Sequence, residues 1–95
     1  MIALYARDTD PVDVAVQVGR LHAFAGFRGW QDPCIFMDTA DNASEVFPGW
    51  ETLRHLVEAG RIETVACVRL DRLSRDAETI KQWEASGLRI VAIGQ

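Results

Sequence analysis

The chain has 95 residues, 48% of them hydrophobic and 25% charged, with a formal net charge of −4. That length allows one domain over residues 1–95, able to bury roughly 60–65% of its unfolded surface. The acid excess argues against a self-sufficient nucleic-acid binder, whose affinity rests on basic groups, and no apolar run approaches the roughly 20 residues of a membrane span.

Ile2–Ala6 is a short apolar run suited to a first buried strand. Asp10-Pro11 then opens a helix, with Asp10 as N-cap, Pro11 at the first helical position and Asp13 near the positive helix end. Val14, Val18, Leu21 and Ala25 form one apolar stripe, and Val12, Val16, Ala23 and Phe27 extend a second, so a deeply packed helix is expected ahead of a partner-binding face. Pro33–Met37 reads as the second strand, ending at Asp38, and Thr39–Glu45 has loop composition. Pro48 starts a helix with Trp50, Leu53, Leu56 and Val57 inward, stopped by Gly60. Thr64–Val68 is the third strand, Asp76–Ser86 a third helix closed by Gly87, and Leu88–Ile93 the fourth strand.

Alternation of this kind predicts an α/β three-layer sandwich: a mostly parallel four-stranded sheet with helices on both faces and right-handed crossovers. Sites in such folds lie at the carboxyl ends of the strands. Arg7–Asp10, Asp38–Asp41 and Arg69–Arg75 should therefore meet on one rim.

The last of these segments carries the most chemistry. Val68-Arg69-Leu70-Asp71-Arg72-Leu73-Ser74-Arg75-Asp76 packs three arginines and two aspartates around two leucines. With Leu70 and Leu73 as anchors, Arg69, Arg72 and Arg75 would project together, and the planar guanidinium fork suits phosphate. The bland alternative pairs these arginines with Asp8, Asp38, Asp71 and Asp76 in a self-neutralised rim. Cys34 and Cys67 lack metal-ligand spacing and read as small buried hydrophobes of a reducing cytoplasm. His22 and His55 fall on helices away from the rim, Trp50 is expected in the core, and Trp30 or Trp83 on a contact surface. Neither a metal nor a cofactor is expected.

Tyr5-Ala6-Arg7, Asp38, Pro48-Gly49-Trp50 with Leu53, and Leu70-Asp71-Arg72-Leu73-Ser74-Arg75-Asp76 recur in this order and spacing along nearly the whole chain. In them the chain resembles the N-terminal catalytic domain of serine recombinases, the resolvase/invertase family. The resemblance implies a DNA phosphodiester as substrate, attacked by a hydroxyl two residues after the first arginine to form a covalent 5′-phosphate link. It assigns Arg7, Arg72 and Arg75 to the phosphate oxygens, with Arg69 beside them, and Asp71 to orienting arginines or handling protons. It also implies DNA and further copies of the chain, or a full-length recombinase, as partners, without a membrane.

Four departures from the family pattern are visible. Thr9 replaces the serine nucleophile, between Asp8 and Asp10; its methyl restricts χ1, and each nearby carboxylate repels a phosphodiester by on the order of 1–4 kcal/mol. Phe47 stands where the family places an arginine, and Asn42-Ala43-Ser44 replaces a serine-glycine pair. The chain ends at Gln95, where family members continue into a long helix and a DNA-binding domain. Losing one transition-state donor costs about 100–1000-fold in rate, so the expectation leans away from an active enzyme. It favours an impaired recombinase-like domain acting by association or regulation over an active or fragmentary recombinase using Thr9. A phosphoacceptor receiver is disfavoured because Arg7 stands among the acids and the only lysine, Lys81, lies on a helix. A small-molecule phosphate binder is disfavoured because no glycine-rich cradle is present.

Overall fold

The computed structural model describes residues 1–39, 47–74 and 76–94. The expected Thr39–Glu45 loop falls almost wholly outside them, as do Asn42-Ala43-Ser44, Arg75 and Gln95. Eight elements follow in order: β1 (Ile2–Asp8), α1 (Pro11–Phe27), β2 (Cys34–Thr39), α2 (Pro48–Glu58), β3 (Thr64–Cys67), α3 (Leu70–Leu73), α4 (Ala77–Ala85) and β4 (Arg89–Ala92). The four strands form one sheet in the order β2-β1-β3-β4, and every pairing is parallel.

Alternation along the strands decides which helix each residue meets. Ala3, Tyr5, Phe36, Val65, Cys67 and Ile90 face α2 and α4, packing on Leu53, Val57 and Trp83. Leu4, Ala6, Ile35, Ala66, Val68 and Val91 face α1, on Val14, Leu21 and Ala25. Both faces of the sheet are thus covered, which is why its central strands read as continuous apolar runs.

Five expectations change. Strand β1 runs through Arg7 and Asp8, so both are strand residues and not loop residues past its end. The arginine-rich segment contains a one-turn helix, α3, that the sequence pattern does not mark; it buries Leu73 but leaves Leu70 46% exposed, so only one leucine anchors it. Helix α1 packs chiefly through one stripe: on the second face Val12, Val16 and Phe27 are exposed, Phe27 at 90%. Trp83, expected near the surface, is 6% exposed and stacks on Trp50 with ring centroids 5.8 Å apart. Cys34 is only half-buried, because β2 is an edge strand; Cys67 is fully buried, and burial pushes its thiol up to about 12.

Candidate functional site at the carboxyl rim

The rim is organised by the end of β1. Arg7 and Asp8 are consecutive strand residues, so their side chains leave on opposite faces of the sheet. Arg7 turns toward α2. It is 8% exposed, its Nη2 donates to the Asp71 carbonyl at 2.8 Å, and its Cζ lies 4.7 Å from the centroid of the Phe47 ring. A recess of about 200 Å³ opens there, lined by Arg7, Phe47, Trp50, Leu73, Ser74 and Asp76.

Asp8 turns toward α1 and connects three elements. Its Oδ1 accepts from the Thr9 backbone N–H at 2.8 Å, its Oδ2 accepts from Gln17 Nε2 at 3.1 Å, and that oxygen lies 3.8 Å from Arg72 Nη2. One carboxylate therefore links the threonine turn to the arginine helix, where the sequence suggested only repulsion. Thr9 itself is exposed. Asp10 caps α1 as expected, accepting from the Val12 N–H at 2.8 Å.

Gln17 went unnoticed in the sequence and holds this strand end in place. It is buried in the stripe of α1, accepts from the Arg7 backbone N–H at 3.2 Å and donates to the Arg7 carbonyl at 3.1 Å. A side-chain amide satisfying both backbone polar groups of one residue replaces the partner that a strand end lacks. Its only sequence signal was a polar residue on an otherwise apolar stripe.

The arginines divide between pairing and projection. Arg69 Nε sits 3.2 Å from Asp71 Oδ1, and Arg72 approaches Asp8. The self-neutralised arrangement therefore holds for these two carboxylates; Arg69 and Arg72 line one groove, Arg7 lines a recess on the other face of the sheet, and Arg75 lies outside the described residues.

Asp38 and Asp76, the other proposed arginine partners, are helix caps. Asp76 accepts from the Glu78 N–H at 3.0 Å at the start of α4. Asp38, 6% exposed, accepts from the Gly49 and Trp50 N–H groups at 2.8 Å each and from the Tyr5 hydroxyl at 2.5 Å. Pro48 has no N–H to satisfy, and Phe47 cannot cap with its side chain, so a carboxylate from β2 caps α2 across space. Burial first, and then the bond to Asp38, drive the Tyr5 phenol well above its ordinary range. The approach is close: a Cβ on Gly49 would lie 2.5 Å from the Met37 carbonyl oxygen. No helix among the described residues is long and apolar enough to cross a membrane.

A family model described as the N-terminal domain of resolvases matches residues 2–95. Among solved structures, the C-terminal catalytic domain of ISC1926 TnpA, an IS607-like serine recombinase, superposes with a TM-score of 0.86 at 24% identity, over 99% of this chain and 67% of that one. A serine recombinase from Sulfolobus solfataricus gives 0.81 at 23% identity, over 99% of this chain and 68% of that one. The N-terminal catalytic domain of TP901-1 integrase gives 0.78 at 22% identity, over 97% and 76%. No curated protein matches the sequence.

Proposed function

Because the chain belongs to the resolvase N-terminal domain family, we propose that it is a serine-recombinase-like domain with impaired strand-cleavage chemistry that acts chiefly by association. The observation that carries this reading is the state of Arg7. Its guanidinium is covered by the Phe47 ring and held by the Asp71 carbonyl, so it is turned inward where a phosphate would need it outward. Stabilising charge that builds on a phosphoryl oxygen requires donors already aimed at it. Thr9 adds a second handicap, since it carries a stiff β-branched hydroxyl between two aspartates.

In this reading Thr9, Arg7, Asp71, Arg72 and Arg75 occupy the catalytic positions, and Arg7, Arg69, Arg72 and Arg75 the phosphate-facing ones. Thr9 would be the attacking hydroxyl and the arginines would spread the phosphoryl charge. DNA contact through this rim is weak on its own, in keeping with the net charge of −4. Association with a second copy or a full-length recombinase would use the outer face of α1, where Val12, Val16 and Phe27 are exposed.

Two measurements test it. Incubation with a nicked recombination half-site should yield no covalent protein–DNA adduct from the wild-type chain; an adduct that disappears in Thr9→Ala would establish an active recombinase instead. Solution mass should rise with concentration, and a strictly monomeric species at high concentration would remove the association.

A further inference from the structure

A second groove lies on the opposite face of the rim from Arg7, with a volume of about 340 Å³. Its walls come from the carboxyl ends of β1 and β3, from α1 and α3, and from Gly94 just after β4. Arg20, Arg69 and Arg72 line it, together with Asp8 and Asp13. Arg69 and Arg72 have carboxylate neighbours at 3.2 and 3.8 Å. Arg20 has none within 4 Å among the described residues, although it sits in the most acid-rich part of the rim.

The exposed Arg20 side chain reaches over the end of the sheet. A Cβ built on Gly94 would lie 2.4 Å from Arg20 Nη2 and 3.0 Å from its Cζ, so the guanidinium rests on bare backbone at position 94. A Cβ there would move the arginine head aside and would also meet Val68 Cγ1 at 2.8 Å. Gly94 is itself fixed by donating its N–H to the Val68 carbonyl at 2.9 Å. A long side chain is thus laid across the sheet end from α1 to the last strand, with no carboxylate within 4 Å among the described residues.

We infer that this groove is a phosphate-binding subsite in which Arg20, seated on Gly94, supplies the principal charge and Arg69 and Arg72 flank it. It extends the proposed function, since it adds to the rim a phosphate contact one groove away from Thr9. Guanidinium groups bind phosphate oxygens by paired N–H donors, and each phosphate neutralised on B-DNA contributes about 0.9 to the slope of log K against log salt. Of the two carboxylates, Asp8 is already held by Gln17, the Thr9 N–H and Arg72, which leaves Asp13 as the one that limits affinity.

The test is the salt dependence of binding to a short fluorescent duplex, with calorimetry against sodium pyrophosphate in parallel. Arg20→Gln should weaken duplex binding several-fold irrespective of sequence and lower the salt slope by about 0.9. Gly94→Ala should weaken duplex binding less than Arg20→Gln in the wild-type background and do nothing further in the Arg20→Gln background, because it shifts the guanidinium without removing its charge. Arg61→Gln, exposed at the other end of the sheet, should change neither. An unchanged slope in Arg20→Gln beside a lowered one in Arg72→Gln would overturn this subsite and leave the proposed function standing. Pyrophosphate binding that needs Arg20, without duplex binding, would uphold the subsite for free phosphate and remove the nucleic-acid contact. No binding of either probe would overturn the subsite, while the proposed function would still stand or fall by the solution mass and the adduct assay.

Discussion

At the β2–α2 corner the Asp38 carboxylate is fully engaged, by two helix N–H groups and a phenol, under tight packing at Gly49. Along the β1–α1 edge Thr9 is exposed, Asp8 reaches Arg72 only at 3.8 Å, and Arg20 lacks a carboxylate neighbour among the described residues. Both regions sit on the same rim and draw on the same residue types. The corner uses its acid to complete a helix, so its charge is satisfied by the fold itself. The edge keeps its charges near water with loose partners, and a phosphate could still compete for them. Between the two stands Arg7, turned toward the corner by Phe47 and Asp71.

Breaking the corner should cost most. Asp38→Ala removes three hydrogen bonds to a buried carboxylate, and charge-assisted bonds of this kind are worth about 1.5–3 kcal/mol each without full additivity. A loss of about 3–5 kcal/mol is expected by urea unfolding, with Asp38→Asn losing clearly less. Gly49→Ala should cost about 1–3 kcal/mol, since the clash is with backbone that cannot move aside.

Alkaline titration sharpens the same contrast. The Cys67 thiol is raised from 9.0 to about 12 by burial, and Tyr5 is raised too. Both groups keep their protons longer when folded than when unfolded. Stability is therefore full below pH 9 and falls as pH climbs toward 12, by up to about 1.4 kcal/mol per pH unit for each group. Denaturant midpoints measured across pH 8–11 check this, and a flat profile would contradict it. The edge should register least: Thr9→Ser, at an exposed position, should alter stability by no more than about 0.5 kcal/mol.

What the sequence revealed follows the range of its signals. The strand–helix alternation, the cap at Asp10 and the helix starts near Asp76 and at Pro48 depend on neighbours a few residues away, and all are found in place. Convergence of Thr9 with Arg72 was legible through topology, because parallel strands put their carboxyl ends on one side. Gln17 folding back on Arg7, Asp38 capping a helix ten residues on and Arg20 lying over Gly94 were not legible. Each joins residues from separate elements through space, with no local pattern to mark it. The outer face of α1 misled for a related reason: apolar periodicity records how much surface a helix offers, and not how much the sheet covers.

The most direct test of the account is adduct formation on a nicked half-site by a chain rebuilt at two positions, Thr9→Ser with Phe47→Arg. The substitutions restore a serine hydroxyl and remove the ring that covers Arg7. The account predicts a covalent adduct from the rebuilt chain and none from wild type. Equal adduct from both, or none from the rebuilt chain while it still binds the half-site, would contradict it.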